Sequence, residues 1–414
     1  MRKTYSYILM ASTLLLASCE KQPSPTPTTD SIKMSFSVNG VEDMHTKCMI
    51  ENITDLQRFC TPEIIGGTIN HQESVGIWAD LDYLGVTTEN LLDDVQLAYY
   101  TKEGGNADGW NYYFGREEAY WQMGGKYRFR AYYPQQALKA LGNDGIMANS
   151  NANTFIVSYN TLQMQDDLLV DYFEVDTRTW PDLSKPLNLN LKHALCAIKF
   201  QVQFKYTDQD KYYDEDALTA CWLRNTRSDD FHSLGIMAYG ITDPRTGTYD
   251  PHYMGWYPQY AVPVGDEIYK WEAPGDGIVF KNIDANGDGA SGNDVYDPEH
   301  ECILATAYSV APDAGDMGEQ YSKNGGWVFV IPQESKGTLE LCFQTKVGGP
   351  NNVYTVKLPT VTGTDSTGPN ANGTEWIPGY RYTYVISLSK SDVEVLMVNI
   401  APWNKYDSST DIAL

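Results

Sequence analysis

Apolar and polar residues alternate with a period of two along most of the chain. In KYRFRAYY, Tyr127, Phe129, Ala131 and Tyr133 share a face; in NVYTVKLP, Tyr354, Val356 and Leu358 do; in GYRYTYVISLSK, Tyr380, Tyr382, Tyr384, Ile386 and Leu388 do. Successive side chains of a strand point to opposite faces, so this period predicts half-buried strands. Shorter apolar runs, NTFIVSY at 153–159 and WVFVIP at 327–332, predict strands of a sandwich core, and Gly, Pro, Asn and Asp clusters punctuate them. Helical spacing is scarce and clearest in YPQQALKALGND at 133–144. An all-β fold follows, built as one sandwich or a pair.

The first residues break this pattern. Arg2 and Lys3 precede a short apolar run, Ile8 to Leu16, and Leu16-Ala17-Ser18-Cys19 ends it with small residues and a thiol. The run is too short and wrongly flanked to span a bilayer as a stable helix. It resembles a bacterial lipoprotein signal peptide, which implies cleavage before Cys19 and acylation of that residue as the lipid anchor. EKQPSPTPTTD then offers nothing to bury and is expected to act as an extended tether over 19–31. At about 3.1 Å per residue it would reach roughly 35 Å. A body of this size suits two domains. The Pro-bounded PDLSKP segment, 181–186, is the best division, giving 32–186 and 187–414 behind a signal peptide at 1–18.

Composition narrows the partners. Aromatic residues reach 13% and charged residues only 20%, a balance that suits strand-rich exported proteins. The formal charge of −24 becomes −26 once Arg2 and Lys3 leave, so a nucleic-acid partner or an anionic lipid surface is electrostatically disfavoured. Setting Cys19 aside, six of the seven cysteines remain, at 48, 60, 196, 221, 302 and 342. No CxxC or zinc spacing links them, and buried, unpaired thiols are expected.

Several blocks, in order, carry a resemblance: FSVNGVEDMHTK, SVGIWADL, GWNYYFGREEAYWQMGGKYRFRAYYP, QMQDDLLVDY, LNLNLKHALCAIKFQV, WVFVIPQ and PGYRYTYVISLSKSDVEVLMVNIAPWN. Together they resemble the fimbrillin family, lipoproteins that build type V pili of Gram-negative anaerobes. The resemblance implies two tandem Greek-key β-sandwich domains and a structural or adhesive role as stalk, tip or anchor subunit at the outer-membrane surface, in a fimbrium. It implies partners that are other pilus subunits, joined through donated β-strands, and a host or bacterial surface glycan or protein, with the membrane contacted through lipid alone. It also implies maturation by a cut after a basic residue, here Lys47 or Arg58, that removes a first strand, Ile32 to Val41. The donor would come from VEVLMVNIAPW, which could equally be the last core strand of its own domain. Asp171, where the family more often has a small residue, and the long insertion at 207–300 depart from the pattern.

Chemistry is sparse. No GxSxG, HExxH or phosphate loop occurs and the six histidines stand apart, so no enzyme and no cofactor are expected. His193 suits a hydrogen-bonded structural role. Asp284, Asn286 and Asp288 with Gly289 match the first half of a calcium loop, but Val295 stands where the bidentate carboxylate belongs, and an ion-free turn explains the residues as well. HYMGWYPQY at 252–260, centred on Trp256 and Tyr257, reads either as a sugar-stacking platform or as packing. GWNYYF at 109–114 reads first as core. The platform sustains the alternative function, a monomeric surface lipoprotein that binds glycans.

Overall fold

The computed structural model describes residues 32–38, 53–65, 68–70, 73–101, 109–113, 118–140, 147–149, 154–161, 164, 166–180, 182–204, 218–226, 231–243, 247–261, 267–272, 302–303, 328–333, 339–345, 353–358, 376–388, 393–402 and 410–413. The fold is all-β. One six-stranded sheet runs, in spatial order, Lys192–His193, Leu169–Asp176, Lys126–Tyr133, Val75–Tyr83, Val86–Tyr100 and Gly109–Tyr112. A second gathers Cys302–Ile303, Cys196–Phe204, Tyr380–Leu388, Val393–Pro402 and Thr410–Ala413, with Val328–Val330 also on Cys196–Phe204. Two four-stranded sheets complete the larger layers. One contains Leu218–Asn225 and Leu339–Thr345, the other His232–Asp243 and Thr154–Asn160.

Alternation is realised where it was expected, and the structure shows what covers each face. In Lys126–Tyr133, the side chains of Tyr127, Phe129, Ala131 and Tyr133 enter a first core with Ile77, Leu97 and Leu169. The opposite face, which period two assigns to solvent, is buried as well. Tyr132 stacks on Trp78 at 4.7 Å in a second core that also holds Phe155, Leu195, Met237 and Phe329. Arg130 on that face is wholly buried with Asp80, Nη2 to Oδ2 at 2.7 Å. Arg128 and Asp82 repeat the pairing one step along at 2.5 Å, nearer solvent. In Thr154–Asn160 only Phe155, Val157 and Tyr159 are buried, while Val328 to Ile331 are buried without a break. The 133–144 helix forms over Gln135–Ala140, and a second short helix, Ile53–Phe59, was not foreseen.

The LNLNLKHALCAIKFQV segment forms three strands. Leu187–Leu189, Lys192–His193 and Cys196–Phe204 serve three different sheets. The chain turns at Asn190, whose N–H donates to Asp171 Oδ2 at 2.7 Å, which gives the aspartate in the LLVDY block a structural task. Three pairings cross residue 186: Phe36–Val38 with Leu187–Leu189, Leu169–Asp176 with Lys192–His193, and Thr154–Asn160 with His232–Asp243. Leu187, Leu189 and Leu191 lie in the first core. Residue 186 thus marks a change of sheet, and both cores draw on residues from either side of it.

Cys60, Cys196 and Cys342 are free and buried. Burial pushes the Cys60 and Cys196 thiols well above their ordinary pKa, so neither is a ready nucleophile. His193 is buried, with Nδ1 2.8 Å from Asp167 Oδ2.

Removing one partner of a buried ion pair strands the other charge, at about 3–5 kcal/mol. Asp80→Asn should therefore lower stability by about that much in urea titration. Asp80→Leu with Arg130→Met should recover most of the loss; a double variant as unstable as the single would refute the account.

Glu73 supplies a pH-dependent element. Its carboxylate accepts the N–H groups of Gln136 and Ala137 at the start of the Gln135–Ala140 helix. Burial outweighs these bonds and lifts its pKa from 4.5 to about 7. The folded state then holds this proton more tightly than the unfolded chain, so the contribution is full below about pH 4.5 and is lost as pH rises through about 7. The melting temperature should fall between pH 5 and pH 8, and Glu73→Gln should flatten that slope.

Candidate functional site

The sequence IKMSFSV alternates, and the fold uses the alternation to seat the segment in a slot. Met34, Phe36 and Val38 point inward and are 0%, 3% and 3% exposed, while Ser37 Oγ donates outward to Asn188. On one edge Phe36–Val38 pairs in parallel with Leu187–Leu189, and the Leu187 N–H donates to Ser35 O at 2.8 Å. On the other edge the Met34 N–H donates to Ala119 O at 2.8 Å and the Trp121 N–H to Ile32 O at 2.9 Å. Lys33 bridges to Tyr120 and pairs with Glu118 at 2.6 Å. Beneath, the Phe36 ring meets Tyr112 and Phe129 edge-on, each at 6.0 Å.

Three apolar side chains buried at roughly 1.5–3 kcal/mol each make this short segment worth about 5–9 kcal/mol. That is comparable with the whole stability of an ordinary domain. Taking it away would uncover two unpaired strand edges and the apolar faces of Tyr112, Phe129, Leu187 and Leu189. Such a slot either refills or the first core loosens.

The two expected cleavage residues have different settings. Lys47 lies outside the described residues. Arg58 is exposed, with its guanidinium 4.8 Å from the Phe59 ring centroid, but it occupies the last turn of the Ile53–Phe59 helix. Leu56 and Cys60 on either side are buried, the Cys60 N–H donates to Leu56 O at 2.9 Å and Cys60 O accepts the Tyr99 N–H at 3.0 Å. Proteases favour exposed loop tips, so cutting after Arg58 first requires this helix to unwind.

The expected donor is a core strand in its own fold. Val393–Pro402 is hydrogen-bonded on both edges, to Tyr380–Leu388 and to Thr410–Ala413, and Val398 is buried. Thr410–Ala413 lies at the end of that sheet, paired on one edge.

Trp256 and Tyr257 do not share a face. Trp256 and Tyr257 are strand neighbours, so they point to opposite faces. Trp256 packs against the second core and its Nε1–H donates to Ala194 O at 2.8 Å, whereas Tyr257 is half exposed. One ligand cannot stack on both. Trp110 meets Tyr99 edge-on at 5.7 Å and Tyr112 is buried, so these two residues of GWNYYF pack with the first core. Cys19 and the Asp284-Asn286-Asp288 loop lie outside the described residues. Among the described residues no three His, Cys, Asp or Glu side chains gather to hold a metal, and no helix is long and apolar enough to cross a membrane. The slot walls at 118–121 and Leu187–Leu189 were missed. The Leu-Asn-Leu alternation was visible, but nothing local says that it faces residues some 150 positions earlier.

Residues 64–250 match the family model described as fimbrillin-like. Among solved structures, a fimbrial protein from Bacteroides vulgatus is similar at 16% identity over 90% of this chain and 99% of its own, with a TM-score of 0.47. A Bacteroides uniformis protein named for cell adhesion is similar at 14% identity over 91% of this chain and 100% of its own, with a TM-score of 0.43. Comparison with curated proteins gives no match.

Trp256→Ala should cost on the order of 3 kcal/mol in chemical denaturation, and Tyr257→Ala should leave the midpoint unchanged. Equal small effects would return Trp256 to the surface.

Proposed function

The chain belongs, over residues 64–250, to the fimbrillin-like family, and from that premise we propose that it is a surface fimbrial subunit with a structural or adhesive role. Lipid on Cys19 anchors the uncut subunit to the outer membrane. A cut after Lys47 releases its first strand, and a neighbouring subunit's strand fills the slot.

One observation carries this reading: the Phe36–Val38 strand is held by side chains and two edges in a slot otherwise complete. Residues 39–52 connect it to the Ile53–Phe59 helix, so a cut after Lys47 severs the covalent link between strand and helix. A cut after Arg58 would break a helix. The incoming strand must supply three inward apolar groups in the register of Met34, Phe36 and Val38. Thr410–Ala413 can leave its sheet by breaking one ladder, whereas Val393–Pro402 would have to break two. The terminal segment is therefore the easier donor to release, and its alternate residues Thr410, Ile412 and Leu414 would bring two aliphatic side chains and a threonine methyl into that register. A subunit left uncut keeps its own strand and can only end a filament, as an anchor or terminal piece.

Native digestion with a lysine-specific protease should yield a new N-terminus at Cys48 and ladders in SDS gels, and Lys47→Ala should abolish both. Removing residues 410–414 should leave cleavage intact and abolish the ladders. Clean cleavage at Lys47 with a persistently monomeric product would overturn strand-donated assembly.

A further inference from the structure

Seven large hydrophobic side chains are exposed among the described residues, and five of them lie at one end of the first sheet: Ile32, Leu84, Val86, Met123 and Trp180. Their convergence follows from register. Leu84 and Gly85 turn the hairpin between Val75–Tyr83 and Val86–Tyr100, where Tyr83 pairs with Val86. Lys126, at the start of its strand, lies opposite both Asp82 and Asp176, which brings the 123–125 and 177–179 turns to the same end. The Thr177 N–H donates to Gly125 O at 2.9 Å and Thr177 Oγ1 accepts the Gly125 N–H at 3.0 Å, locking the two turns together. A methyl on Gly124 would touch Tyr83 Cε2 at 3.5 Å, so the hairpin tip lies against them. Ile32 joins this end because it pairs with Trp121, two residues before Met123.

Folding alone does not account for the tip. Leu84 is 83% exposed and sits at φ 52°, with Gly85 at φ 80°. A two-residue turn with both centres left-handed ordinarily takes Asn-Gly. A leucine there is strained and exposed at once, a combination that belongs to binding sites.

We propose that this end docks on a phospholipid surface, with Leu84, Val86, Met123 and Trp180 entering the boundary between headgroups and acyl chains. The inference rests on Cys19 as the lipid anchor. Residues 20–31 connect that anchor to Ile32, at the apolar end itself, so the tether delivers this end toward the membrane. Tethering raises the local concentration of lipid, and a contact too weak to hold a free protein then suffices. Charge fits a zwitterionic surface: in a chain of net charge −24, the acids here are matched by bases, Asp82 with Arg128, Glu174 with Lys126 and Asp176 with Arg178. Tryptophan suits the interface, with an apolar body and a polar N–H. The tether thus permits contact as well as clearance.

The test uses the uncut chain from residue 20 onward with a hexahistidine tag in place of Cys19, held on phosphatidylcholine vesicles by a nickel-chelating lipid, so that the result does not depend on acylation. Bromine on the acyl chains should quench part of the tryptophan fluorescence, and Trp180→Phe should remove that part. Leu84→Asn with Met123→Ser should lose most of the quenching while keeping or raising the melting temperature, since asparagine relieves the strained turn. Absent quenching, or quenching untouched by these changes, overturns the proposal. So does concentration-dependent self-association in free solution that the double variant abolishes, which would make a second copy the occupant. The anchor is judged separately: fatty-acid labelling and membrane fractionation retained in Cys19→Ala would refute it whatever the vesicles show.

Discussion

Burial of the Lys126–Tyr133 strand on both faces is the constraint on which the rest depends. One face carries Phe129, against which the first strand's Phe36 rests, and the other carries Tyr132, stacked on Trp78 in the second core. From Phe129 onward, where the strand is buried on both sides, a polar residue has no solvent face, so Arg130 is neutralised by Asp80 inside the protein. The pair need not add net stability against an apolar isostere. What it enforces is register, because sliding the strand by one residue would leave two buried charges apart.

The slot is rigid because its floor and walls belong to elements fixed for other reasons. Phe129 and Tyr112 come from the first sheet, Leu187–Leu189 from a segment that immediately continues into that sheet and then into the second. The first strand contributes little to positioning them and much to covering them. Such a segment can be exchanged for another of the same pattern: its removal leaves an apolar deficit close to a domain's entire stability, which a matching strand would make good.

Exposed apolar surface is unevenly distributed over the described residues. The left-handed Leu84 and the exposed Met123 and Trp180 lie at the end where the chain enters the fold, away from the neatly capped helix at Gln135 and the satisfied Trp256. Loops at a sheet end contribute little to the core, so they can carry a side chain that folding alone would reject.

Much of this was legible in the sequence, and the remainder has one physical origin. Period two determined the strands, and helical spacing the short helix after Tyr133. Alternation distinguishes the two faces of a strand but is silent on what covers either one. Hence Arg130 and Tyr132 read as outward and are buried, Trp256 and Tyr257 read as one patch and face apart, and LNLNLKHALCAIKFQV serves three sheets. Pairing was equally hidden, since Phe36 meets Leu187 and Phe155 meets Tyr239 only through the tertiary fold. The turns bearing Leu84, Met123 and Trp180 are separated in sequence and adjacent because Lys126 lies opposite both Asp82 and Asp176. Local chemistry determined which residues could be strand, turn or core, and only long-range register decided which of them meet.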